Sequence, residues 1–143
     1  MFRELRRSKP YEIQIELSDY CNSKCPICTR YIEGRVGLKP TASVNRNQIS
    51  YEDFRKWFPR WFIRDRLFKM RFNGQVGESS LCEDLLDIVG YILKCNKNLE
   101  YLSLTTNGGT RTPEFWYELG KLMGQMRWGE VVFAIDGFAD THS

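Results

Sequence analysis

The sequence predicts an α/β fold of parallel βα repeats, on three observations. Strand-like and helix-like segments alternate in the order β-α-β-α-β-α-β, with about 30 residues per unit after a longer first crossover. Alternation of this kind builds a parallel sheet with right-handed crossovers. Each predicted strand also ends in a polar, cysteine or glycine cluster. Ligands bind at the C-terminal strand ends of such folds.

The first strand is Tyr11-Glu12-Ile13-Gln14-Ile15-Glu16-Leu17, where apolar and polar residues alternate. The cysteine-containing loop follows it directly. Residues Thr29 to Ile49 are polar and punctuated by Gly34, Gly37 and Pro40, which predicts a long loop. Loops of this length often serve as lids or binding loops. Ser50-Tyr51-Glu52-Asp53 resembles a helix start, with a serine cap and acids in the first turn. Phe54, Trp57, Phe58, Trp61 and Phe62 follow at helical spacing and are expected to pack into the core. Pro59 in their midst predicts a kink or a break into two short helices.

The second strand is Leu67 to Phe72, ending in Asn73-Gly74-Gln75-Val76-Gly77-Glu78. Ser80 and Glu83 have the spacing of a capping box before a helix that runs to about Cys95. The third strand is Leu99 to Leu104, ending in Thr105-Thr106-Asn107-Gly108-Gly109. Thr112, Pro113 and Glu114 open the next helix in the favoured order, with Phe115, Leu119, Leu122, Met123 and Met126 on its apolar face. The fourth strand is the apolar run Val131 to Ile135, ending at Asp136-Gly137. Eight βα units of a closed barrel need about 250 residues, so four strands imply an open sheet or a partial barrel. The end at Ser143, with no fourth helix, reads as truncation.

At 143 residues, 42% hydrophobic and 14% aromatic, the chain is one domain or part of one and can bury a core. Its net charge of +3 lacks the strong, segregated basic excess of a nucleic-acid binder. The run Arg3, Arg6, Arg7, Lys9 reads as a solvated tail, and Arg30, Arg35 and Lys39 as a solvated loop or a contact for an anionic substrate. No stretch approaches the ~20 apolar residues of a membrane span. Five cysteines without a secretory signal fit thiolates used as ligands in a reducing cytosol, so a cytoplasmic location is expected.

The chemistry concentrates in Cys21-Asn22-Ser23-Lys24-Cys25-Pro26-Ile27-Cys28, a CxxxCxxC run. A disulfide uses two sulfurs, and a closed structural zinc site wants four ligands. Three local thiolates therefore suggest a centre with one open position, and an open iron of an iron–sulfur cluster can bind a small molecule. Two rival readings need a fourth ligand. One is a non-catalytic zinc module completed by Cys82, Cys95 or His142. The other is an electron-transfer iron–sulfur protein completed by a further cysteine. Buried, inert thiols are the simpler account of Cys82 and Cys95.

With these motifs the chain resembles the radical S-adenosylmethionine (radical SAM) superfamily, over about residues 11 to 142. The resemblance implies a partial (β/α)6 barrel, of which residues 1–143 would be an incomplete core domain lacking its C-terminal βα units. It also implies that Cys21, Cys25 and Cys28 hold three irons of a [4Fe–4S] cluster, with S-adenosylmethionine chelating the fourth. Ile27 would pack near the adenine. Gly74, Gly77 and Glu78 would form the turn that holds the methionine amino group, with Glu78 as a charge-assisted acceptor. Thr105, Asn107 and Asp136 would be polar contacts around the cofactor, and Ala134 stands where some relatives carry a ribose-touching serine. The implied activity is reductive cleavage of S-adenosylmethionine to a 5′-deoxyadenosyl radical that abstracts hydrogen from a substrate. A donor such as flavodoxin or ferredoxin would supply the electron. The style of the strand-end motifs favours peptide or protein modification over RNA modification.

Overall fold

The computed structural model describes residues 11–23, 25, 28, 47–75 and 77–135. Ile27, Asp136, His142, the N-terminal basic run and most of the long loop lie outside the described residues. Four strands form one wholly parallel sheet in the order β1-β2-β3-β4: β1 Tyr11–Ile15, β2 Leu67–Phe72, β3 Tyr101–Thr106 and β4 Gly129–Phe133. The helices are α1 Tyr51–Trp57, α2 Arg60–Asp65, α3 Leu85–Cys95 and α4 Pro113–Met123, with a 3₁₀ turn at Ser79–Leu81. Each crossover steps one strand in the same direction. With uniformly right-handed connections, such stepping puts every helix on one face of the sheet.

That face carries Ile13, Ile15, Met70, Phe72, Leu102 and Leu104, which join Phe54, Ile63, Ile88, Ile92, Leu119 and Met123 of the helices in a single core. The opposite face carries Glu12, Gln14, Lys69, Arg71, Asn73, Tyr101, Ser103 and Glu130, as the strand register requires. Its side chains tie the strands together sideways. Arg71 Nε donates to Glu12 Oε1 at 2.9 Å, and the Arg71 guanidinium lies 4.7 Å from the centre of the Tyr101 ring. The Tyr101 hydroxyl in turn donates to Glu130 Oε2.

Local chemistry accounts for most element boundaries. Ser50 caps α1 by accepting the Asp53 N–H at 3.1 Å, and Thr112 caps α4 by accepting the Phe115 N–H at 3.4 Å. Pro59 divides α1 from α2 as its missing N–H demands. The break alters the aromatic stripe. Phe54 is buried, Phe58 packs against it with tilted rings and Phe62 against Phe58, but Trp57 and Trp61 are 59% and 58% exposed, contrary to expectation. Two short helices each bury a narrow stripe, so the broad face of one continuous helix never forms.

The Ser80–Glu83 capping box does not form either. Ser80 lies in the 3₁₀ turn, and α3 starts only at Leu85. Asp84, which precedes α3, instead accepts the Tyr51 N–H at 2.7 Å and so satisfies the start of α1. The third strand is shifted two residues towards the C-terminus, because Leu99 packs into the core ahead of it while Thr105 and Thr106 pair with Val132 and Phe133. The fourth strand begins at Gly129 and stops at Phe133, leaving Ile135 exposed. Among the described residues, no helix is long and apolar enough to cross a membrane.

Candidate functional site

Parallel strands aim all their C-terminal ends at one rim, so the clusters that follow β1, β2 and β3 meet there. Cys21, Cys25, Cys28, Gly74, Gly77, Glu78, Thr105 and Asn107 line one cavity of about 220 Å³, together with Ser23, Thr106 and Ala134. These are all the sequence-predicted site residues that the structure describes. A larger groove of about 320 Å³, lined by Leu17, Ile49 and Trp57 among others, contains no thiol. Chemistry rather than size singles out the rim.

The rim is rigid for reasons that begin at Gly77. A Cβ there would stand 1.8 Å from the Ser18 carbonyl oxygen, so only glycine lets the chain leaving β1 pass against the turn after β2. The next residue locks the crossing, as the Glu78 N–H donates to the Tyr20 carbonyl at 2.7 Å. The Glu78 side chain is 3% exposed and points back into protein. Its Oε1 accepts the Ser80 N–H at 3.0 Å and its Oε2 the Asn107 N–H at 2.7 Å. The carboxylate is thus a strut between the ends of β2 and β3, with a second lone pair left on each oxygen.

A second layer of bonds braces that strut, and sequence reasoning missed it. The Ser80 hydroxyl lies 3.1 Å from Thr110 Oγ1 and accepts from the Thr106 hydroxyl at 3.3 Å. Arg111 reaches across to clamp the 3₁₀ turn, its Nε donating to the Ser80 carbonyl at 2.6 Å and its Nη2 to the Cys82 carbonyl at 2.7 Å. To do so it adopts a left-handed backbone with φ of 70°, unusual for a residue with a Cβ. The sequence signal was the Asn-Gly-Gly run just before it, which announces a tight turn without naming the side chain that uses it.

The cysteine loop is tied to the same frame. The Cys28 N–H donates to the Cys25 carbonyl at 3.1 Å, and both residues line the cavity. Cys21 Sγ accepts the Ser23 N–H at 3.4 Å and the Asn107 Nδ2 amide at 3.7 Å. All three thiols are free, and Cys25 is the exposed one. Cys82 differs. It is fully buried, its sulfur faces the Ile49 carbonyl at 3.4 Å, and burial pushes the thiol up to about 11. Cys95 ends α3, before β3 begins, and so lies towards the opposite end of the sheet from the rim.

Among the described residues, no three His, Cys, Asp or Glu side chains converge closely enough to hold a metal ion. Cys21, Cys25 and Cys28 are free thiols on one cavity, and Glu78, the one carboxylate among the described lining residues, accepts two backbone N–H groups.

No protein-family model matches the chain. The chain is similar to a GTP 3′,8-cyclase of Cronobacter sakazakii, with 30% identity over 114 residues, or 78% of this chain. It spans about a third (32%) of that curated relative's length.

Proposed function

We propose that this chain is the N-terminal part of a radical SAM core domain, its partial barrel open along the polar face. Cys21, Cys25 and Cys28 would hold a [4Fe–4S] cluster beside bound S-adenosylmethionine. The observation that carries the reading is the three free cysteines of a CxxxCxxC loop lining one cavity with the β2 and β3 rim. Resemblance of the motifs to the superfamily and similarity to the cyclase support it. When bound, the cluster and S-adenosylmethionine supply a one-electron cleavage that ends in hydrogen abstraction from a substrate.

The protein's own contribution is positional. Gly77 lets the loop after β1 lie against the rim, and the Glu78 strut holds the β2 and β3 ends at fixed separation. The remaining lone pairs of Glu78 would meet the amino group of the bound cofactor, and Thr105 and Asn107 its polar edge. Ile27 would pack near the adenine, and Asp136 would add a polar contact around the cofactor. A flavodoxin- or ferredoxin-like donor would supply the electron, and the exposure of Cys25 is compatible with its approach from that side.

The test is electron paramagnetic resonance of the anaerobically reconstituted, dithionite-reduced chain, with and without S-adenosylmethionine. A [4Fe–4S]⁺ signal that changes on adding S-adenosylmethionine is expected. A signal indifferent to it would favour an electron-transfer site, and zinc without sulfide would overturn the reading. The relative's name points to GTP as a substrate and the strand-end motifs to a peptide. A further spectral change on adding GTP would favour the nucleotide.

A further inference from the structure

We propose that Asn107 is a positioning residue for Cys21, and that its amide N–H raises the reduction potential of the cluster read into this cavity. The proposal rests on that reading. The orientation of the Asn107 amide follows from its partners. The Gly109 backbone N–H, which can only donate, lies 2.8 Å from Oδ1, so that end of the amide must be the oxygen. Nδ2 therefore faces the cysteine loop. Its two hydrogens have two acceptors, Asn22 Oδ1 at 2.9 Å and Cys21 Sγ at 3.7 Å.

The Asn107 backbone is held in turn by Glu78 Oε2 at 2.7 Å. The side chain is therefore placed before any cluster is bound, and its ordering is paid for by the rim. Cys21 also receives the Ser23 N–H at 3.4 Å, so two N–H dipoles point at one sulfur. Hydrogen bonds to ligand sulfurs are among the factors that set cluster potentials. Donors stabilise the reduced state more than the oxidised one, because the added electron increases the negative charge they face. Losing the Asn107 donor must then lower the potential.

The experiment uses the full chain, anaerobically reconstituted, with iron and sulfide content, circular dichroism and a mediated redox titration followed by electron paramagnetic resonance. Asn107→Asp keeps an acceptor for Gly109 but sets a carboxylate against the sulfur, and Asn107→Leu removes the donor to Cys21 together with the acceptor for Gly109. Both are expected to retain iron and to shift the midpoint to more negative values, Asp further than Leu. Asn22→Ala removes the acceptor of the other amide hydrogen and leaves the donor to Cys21 in place, so its midpoint should stay near that of wild type. Unchanged midpoints in both Asn107 variants would overturn the proposal. So would loss of iron from both Asn107 variants with native circular dichroism, which would assign the residue to assembly alone. Wild-type chain that takes up no iron and sulfide would sink the cluster reading itself, and is recognised by analysis rather than by any shift.

Discussion

The two faces of the sheet are built on different physics. One is dry: Met70, Phe72, Leu102 and Leu104 are essentially fully buried under the helices. The other is polar, and its strands are joined by the Glu12–Arg71 ion pair, the Arg71–Tyr101 stacking contact and the Tyr101–Glu130 hydrogen bond. Parallel sheets are ordinarily covered on both faces. A face that keeps charged and amide side chains in register across four strands is suited to water or a polar ligand. The contrast teaches that stability resides on one side and chemistry on the other, with the rim as their shared edge.

The comparison can be broken from the dry side first. Phe72→Ala should cost about 3–5 kcal/mol, read as a lower urea midpoint, because the cavity left beneath the helices cannot collapse. A loss below about 1 kcal/mol would show that the helices are only loosely seated. At the rim, Glu78→Gln turns an amide donor towards one of two backbone N–H groups. It should cost about 1–3 kcal/mol in the same assay, and loosen the β2 and β3 ends in amide hydrogen exchange at Ser80 and Asn107.

On the polar face, Arg71→Leu should change stability by less than about 1 kcal/mol, since the Glu12 pair is solvent-exposed and screened. An effect as large as that of Phe72→Ala would erase the distinction between the faces. The smallest effect is a pH dependence. Burial raises the Cys82 thiol from 9.0 to about 11, so the folded state keeps a proton that the unfolded chain has lost. Stability from this group is complete below pH 9 and declines as pH rises to about 11. Urea midpoints measured across that window should fall less steeply in Cys82→Ala than in wild type.

Much of this was legible in the sequence because it depends on neighbours in the chain. Ser50 and Thr112 cap helices whose starts they immediately precede, and Pro59 breaks a helix by itself lacking an N–H. Leu67–Phe72 was bounded correctly because no competing signal flanks it. The failures share a cause. Ser80 and Glu83 had the spacing of a capping box, yet Ser80 is claimed by Thr106 and Thr110, about 30 residues away. Trp57 and Trp61 had core-like periodicity, but Pro59 divides the helix that would have buried them.

The candidate site divides in the same way. The sequence alone determined the order of strands and helices, and the clusters at the strand ends, since alternation and turn residues are local properties of the chain. Only the tertiary structure decided that Glu78 braces two strand ends, that Arg111 clamps the turn beside it, and that Asn107 faces the sulfur of Cys21. Apart from the local Glu78–Ser80 bond, those contacts join residues at least 29 positions apart, and Asn107 and Cys21 are separated by 86. No periodicity encodes such a pairing. It exists because parallel strands deliver distant loops to one rim, where the direction of each donor and acceptor selects its partner.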